Sequence, residues 1–224
     1  MTNQNNHLNR NTSRNFTPID NLMMQVDTGL RTLFGKPSIT ERANPEDVIE
    51  EGELTTTEKD LAGRLMRINH SGEVAAQGLY QGQALTAKLP EVRAKMERAA
   101  QEENDHLDWC EQRINELGTH TSYLNPLWYV GSVAIGATAG LAGDKWSLGF
   151  VAETEHQVVR HLTSHLDQIS ENDHKSRAIL EQMKVDEGEH ATVALNAGGA
   201  ELPSPVKKFM SLTSKIMTKT VYRL

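Results

Sequence analysis

The chain has a single cysteine, Cys110, among its 224 residues. That excludes an internal disulfide, counts against a cysteine-based zinc site and fits a reducing compartment. Aromatic residues make up only 5%, and no segment reads as a strand. No glycine-rich strand–helix turn of the kind that cradles a dinucleotide or flavin is present. An excess of basic charge is also missing. The net charge of −7 gives a nucleic-acid partner no global electrostatic support. The one candidate membrane span, residues 121–143, lacks charge but contains Asn125, Pro126 and several glycines. It makes a poor spanning helix, so a helix buried in protein or one touching a membrane face is expected there. The opening residues have no apolar core of a secretory signal, and the Asn-rich stretch 1–17 reads as a disordered tail.

What the chain does have is helical periodicity. Leu22, Val26, Leu30, Leu33 and Phe34 recur at helical spacing and stop at Gly35. Four longer periodic segments follow, at about 56–88, 90–118, within 127–169 with an interruption near Gly143-Asp144, and 174–197. Short breaks at 88–91 and 170–174 make two antiparallel hairpins. The stretch 118–144 is the long connection between them. An all-α, ferritin-like four-helix bundle is expected, with extra amphipathic helices at both ends and a single domain over 18–224. The C-terminal segment 205–224 carries Lys207, Lys208, Lys215, Lys219 and Arg223 beside an apolar stripe, and no acid follows Glu201. Such a helix suits an anionic membrane surface, with the four lysines as contacts, or else a cap on the bundle.

The chemistry lies in "AQEENDHLDW", residues 100–109, and its echo "DEGEHA" at 186–191. Residues three apart share a helix face. Glu103 and His106 fall on the apolar stripe with Met96, Leu107 and Ile114, and Glu187 and His190 fall on that of Leu180, Met183 and Ala194. Glu102, Asp105 and Trp109, like Asp186 and Glu189, fall on the more polar side, so Glu102→Ala is expected to spare metal binding and Glu103→Ala to abolish it. An isolated buried carboxylate is very costly and needs a proton, a partner or a metal. The other two helices each offer one inward acid, Glu73 and Glu155, the latter sharing its stripe with Val158, Leu162 and Leu166 whereas Glu153 sides with Gln157 and Arg160. Each of these glutamates lies at a similar distance from its hairpin turn, so all should sit at one level. Four carboxylates and two histidines are the ligand set of a dimetal centre, and two divalent ions would neutralise it. Oxygen and imidazole donors together suit iron or manganese better than zinc.

Around this set, His70 lies one turn before Glu73 and reads as either an outer partner of a ligand or a packed core residue. His161 and His165 flank the inward stripe and suit structural or outer-partner roles. His156 points roughly 100° away from Glu155, and Cys110 reads as a small buried hydrophobe.

The segments "LMRINHSGEVAAQGLYQGQAL", "AAQEENDHLDWC", "LNPLWYVGSVAIGATAGLAGDKWSLGFVAETEHQV" and "MKVDEGEHA" resemble the bacterial demethoxyubiquinone hydroxylases of ubiquinone biosynthesis, over roughly residues 18–224. The resemblance implies a ferritin-like di-iron monooxygenase using two Fe ions (Fe2+/Fe3+), O2 as co-substrate and an external reductant. In it Glu73 and Glu155 would be terminal ligands, Glu103 and Glu187 would bridge, and His106 and His190 would cap opposite ends. The implied substrate is a polyprenylated 3-methyl-6-methoxy-1,4-benzoquinol, demethoxyubiquinol. Implied partners are the membrane surface at the cytoplasmic face of the cell membrane, and a reductase or other ubiquinone-biosynthesis proteins, with the quinol itself as an alternative electron source. The same six ligands would also serve a ferroxidase or iron-storage protein, a dimanganese catalase, or a membrane-bound scaffold in which metals serve only folding.

Overall fold

A computed structural model describes residues 17–36, 38–40 and 42–224. The expected disordered tail falls, apart from Thr17, outside the described residues. Thr17 itself is the N-cap of the first helix, in a reciprocal capping box with Asp20. The described residues form seven helices, α1 (Pro18–Phe34), α2 (Thr56–Thr86), α3 (Pro90–Glu116), α4 (Asn125–Leu141), α5 (Asp144–Leu166), α6 (His174–Asn196) and α7 (Ser204–Val221), and no strand. The α2–α3 and α5–α6 hairpins make the four-helix bundle, and α4 is the crossover. This is the expected ferritin-like arrangement with added terminal helices.

Local signals set the ends of these elements. Thr55 and Glu58 form a capping box at the start of α2, Pro90 opens α3, and Asp173 accepts from Ser176 N at the start of α6. The interruption expected near Gly143-Asp144 is a full break. Gly143 has φ +109°, a conformation that favours glycine, and it separates α4 from α5. The connection 118–144 is therefore largely helical rather than extended.

Crossover helix α4 lies directly on α2 because glycines let the two backbones meet. A Cβ at Gly136 would collide with the Leu79 carbonyl, and one at Gly82 with that of Val133. The "GATAG" pattern is thus half of a close helix–helix contact. With α3, α4 and α5 around it, α2 is buried on nearly every side, from Leu65 and Met66 to Val74, Ala76 and Tyr80. Terminal helix α7 docks through Met210 and Val221, while Phe209, Leu212 and Ile216 point outward. The apolar stripe of α1 is likewise outward, with Met23, Val26, Leu30 and Phe34 exposed and Gly29 against the Tyr129 ring.

Glycine packing makes a direct prediction. Gly136→Ala should lower unfolding free energy by about 1–3 kcal/mol through overpacking. Gly131→Ala, where a Cβ meets nothing within 4 Å, should leave the melting temperature unchanged or raise it slightly.

Candidate metal centre

Each core helix carries its acid to one level of the bundle. Glu73, Glu103, Glu155, Glu187 and His106 are almost completely buried, and His190 nearly so. Glu73, Glu103, His106 and Glu187 place one ligand atom each within 4.8 Å of one another. His106 Nδ1 is 3.0 Å from Glu103 Oε2 and 3.3 Å from Glu187 Oε1. His190 Nδ1 is 3.1 Å from Glu103 Oε1 and 3.4 Å from Glu187 Oε2. Each of these two glutamates therefore offers one oxygen to each histidine, the disposition a bridging carboxylate requires. Glu73 Oε2 lies 3.9 Å from His106 Nδ1, and Glu155 accepts a hydrogen bond from the buried Tyr80 hydroxyl.

The donor set fits a pair of cations. Glu103 Oε1, Glu187 Oε2 and His190 Nδ1 are buried without a hydrogen-bond partner in acceptable geometry, and all three converge on one point. Orphaned polar atoms are rare in protein interiors, and a divalent ion there would satisfy all three. In the metal-free protein, protons do the balancing. Burial, followed by repulsion from Glu103 and Glu187, raises Glu73 well above the usual carboxylate range, and Glu155 is raised by burial and the same two neighbours. Burial works against charge on His106, but hydrogen bonds to Asp186, Glu103 and Glu187 outweigh it and raise the ring's pKa. At His190 burial likewise opposes the charge, but the pull of Glu103 and Glu187 at 3.1 and 3.4 Å outweighs it and lifts the pKa to about 12. Burial opposes the charge on Glu103 too, yet the His106 hydrogen bond and the nearness of both histidines hold its pKa below the ordinary value.

Two acids assigned to the polar face turn out to matter. His106 Nε2 hydrogen-bonds Asp186 Oδ2 at 2.9 Å, and His190 Nε2 hydrogen-bonds Glu102 Oε2 at 2.8 Å. Each histidine is thus oriented by a carboxylate from the facing helix, which fixes Nδ1 toward the cluster. Asp105 and Trp109 are buried as well, because Thr40 and Arg42 lie against that side of α3. Thr40 donates from N and Oγ1 to Asp105, both at 2.7 Å. The i,i+3 spacing that picked out Glu103 and His106 holds equally for Glu102–Asp105 and Asp186–Glu189. Only the adjacency of α3 and α6 singles out Glu102 and Asp186.

The remaining candidates separate. Glu153 bonds Gln157 and Arg160, away from the cluster, as its position with those two residues implied. His70 is buried against Asn125 at 3.3 Å, and burial lowers its pKa to about 4. His165 contacts Asn69 Oδ1 at 2.8 Å, and its ring stands edge-on to His161. His161 lines a cavity beside the cluster. Cys110 is fully buried. Lys208, Lys215 and Lys219 are exposed, whereas Lys207 pairs with Glu201 at 3.1 Å and Glu153 at 3.7 Å.

That cavity, about 390 Å³, lies between α2, α4, α5 and α7. Its walls are apolar, including Leu79, Trp128, Ile135, Phe150 and Met217, and it reaches Glu73, Glu155 and Glu187. Neither His106 nor His190 lines it.

A helical bundle that buries four carboxylates and two histidines at one level, each histidine backed by an outer carboxylate, has a donor set that fits the metal-binding carboxylate class of helical bundles. The family model for Ubiquinone biosynthesis protein COQ7 matches residues 60–221. A 3-demethoxyubiquinol 3-hydroxylase of Nitrosococcus oceani is 63% identical over 93% of this chain and 98% of the relative. Proteins of the same name from Ectopseudomonas mendocina and Pseudomonas fluorescens are 58% and 57% identical, over 94% and 95% of this chain and 98% and 99% of the relatives. The chain belongs to the COQ7 family of ubiquinone biosynthesis.

Two predictions rest on this geometry. Glu73, Glu155 and both histidines hold protons without metal and must lose them to ligate. Ferrous binding should therefore release protons and weaken as pH falls. Calorimetry in buffers of different ionisation enthalpy measures this, and pH-independent affinity from about pH 6 to 8 would contradict it. Glu103→Ala should abolish metal binding. Glu102→Ala, against the expectation from helix periodicity, should weaken it by about ten- to a hundredfold by freeing the His190 ring, as read by metal titration.

Proposed function

We propose that this protein is a di-iron monooxygenase that hydroxylates the ring of demethoxyubiquinol, a polyprenylated 3-methyl-6-methoxy-1,4-benzoquinol. The observation that carries the reading is the junction of the buried cluster with a wide apolar cavity. Three of the cluster's carboxylates open into it. Ferrous ion or peroxide would need only a narrow polar path, so the cavity supports an organic substrate over an iron-storage or catalase reading. The name of the relatives, 3-demethoxyubiquinol 3-hydroxylase, describes the same reaction.

Glu73, Glu103, His106, Glu155, Glu187 and His190 would hold two iron ions, with Glu103 and Glu187 across both. When bound, the irons supply the reduction of O2 that puts one oxygen atom on the ring and releases the other as water, with electrons from an external reductant. The chain itself does the rest. Asp186 and Glu102 orient the histidines, and the Tyr80 hydroxyl orients Glu155. The apolar walls hold the quinol head near Glu73 and Glu155, exclude water, and lead the prenyl tail outward past Leu127 and Phe209, both exposed at the rim.

A prenylated substrate resides in lipid, and the rim suits a membrane surface at the cytoplasmic face. Exposed Phe209, Leu212 and Ile216 on α7 and Leu127 and Val130 on α4 stand near exposed Lys208, Lys215 and Lys219. Among the described residues no helix is long and apolar enough to cross a membrane, so this surface would bind peripherally. The reductase or other pathway proteins would deliver electrons from outside the chain, or the quinol would serve as donor.

Iron-loaded protein given a competent reductant, labelled O2 and demethoxyubiquinol should yield a quinol heavier by one labelled oxygen, read by mass spectrometry. No oxygenated product from fully loaded protein would refute the hydroxylase reading. Replacing Lys208, Lys215 and Lys219 by glutamate should reduce cosedimentation with phosphatidylglycerol vesicles, each lysine contributing about 1 kcal/mol at such a surface. Unchanged cosedimentation would refute the membrane reading.

A further inference from the structure

Residues 38–40 and 42–54 precede the stretch matched by the family model, which begins at residue 60, and they cross the α3–α6 seam as a strap. One end is held by Thr40 on Asp105. The other is held by Glu51 on Arg113 and by Gly52 N donating to Asn172 O at 3.2 Å. Between these anchors Arg42 reaches inward. Its guanidinium lies 2.5 Å from Asp186 Oδ2, the same oxygen that accepts from His106 Nε2. It also lies 3.9 Å from Asp105 Oδ2 and 5.0 Å from the centre of the Trp109 ring.

The opposite histidine has a matching relay built differently. His190 Nε2 bonds Glu102, and Glu102 pairs with Arg98 at 2.6 Å, one turn earlier on the same helix. Arg98 is 70% exposed and Arg42 33%. Exposed i,i+4 pairs are weak and fluctuating, while partly buried ones are screened much less. Arg42 is also fixed by its stacking on Trp109 and by the adjacent Thr40–Asp105 anchor, whereas among the described residues no such contact fixes Arg98.

We propose that Arg42 is a positioning residue that makes the His106 end of the cluster the tighter of its two metal positions. It does so by locking Asp186, and through Asp186 the His106 ring, while the Arg98–Glu102 relay leaves the His190 end looser. The proposal rests on the cluster being a dimetal centre but not on the reaction carried out there.

The test is Co(II) titration of the full-length metal-free protein, followed by calorimetry and by the d–d absorption of bound cobalt, without substrate, O2 or reductant. Wild-type protein should bind two ions in two resolved steps. Arg42→Gln should weaken the first step about tenfold, the scale of outer-partner effects on metal affinity, and leave the second within about twofold. Arg42→Lys should recover part of the loss, and Arg98→Gln should shift neither step appreciably. Glu51→Gln loosens the strap's far end without touching the relay and should also shift neither. The proposal is overturned if Arg42→Gln leaves both steps unchanged or weakens both equally, if Glu51→Gln reproduces its effect, or if the wild type shows no two-step binding. Circular-dichroism melts of metal-free Arg42→Gln and Arg42→Lys separate affinity from folding. A lost first step in a variant that melts like wild type supports the proposal, and a loss found only in a variant that has unfolded overturns it. Failed hydroxylation by a protein that binds cobalt as expected would count against the reaction alone.

Discussion

Four carboxylates buried at one level of a helical bundle are the constraint on which the rest of this structure depends. Left ionised and unpaired they would cost more than a small domain's net stability. Nature's options are protons, cations or partners, and the protein is arranged for exchange between the first two. Glu73 and Glu155 are disposed to hold protons and the two histidines to carry charge, so a metal-free cluster is already near neutrality. Two divalent ions achieve the same neutrality with those protons gone. Folding and metal loading therefore draw on the same electrostatic balance.

The cluster has two unlike sides. Toward α2 and α5 it faces an apolar cavity through Glu73 and Glu155, with Glu187 between them. Toward α3 and α6 the strap covers the His106 end, and both histidines are backed there by Asp186 and Glu102. Carboxylates, which can shift their coordination, meet the cavity where an organic substrate would enter. Imidazoles, fixed through their second nitrogen, stand on the side away from it. The close α2–α4 packing at Gly82 and Gly136 matters to this division, because α4 forms one wall of the cavity and could not lie so near with larger residues there.

Much of this was legible in the sequence. The Glu103–His106 and Glu187–His190 pairs, the inward Glu73, and Glu155 in preference to Glu153 all follow from one rule, that a helix buries the face carrying its apolar stripe. The same rule misplaced Asp105 and Trp109 and missed the roles of Glu102 and Asp186. It allows each helix one buried face, and α3 has two, one toward the bundle core and one under the strap. The strap has no periodicity to announce itself, since it is held by particular polar contacts at Thr40, Arg42 and Glu51 rather than by an apolar pattern. The cavity was illegible for a related reason, being space enclosed by four helices that are far apart in the chain.

The central claim is that Glu103 and Glu187 bridge two metal ions, each capped by one histidine. Diffraction at the iron absorption edge from crystals of ferrous-loaded protein tests it most directly. The account predicts two anomalous peaks about 3.5–4 Å apart, between the two glutamates, one beside His106 Nδ1 and one beside His190 Nδ1. A single peak, or two peaks that share no carboxylate, would contradict it.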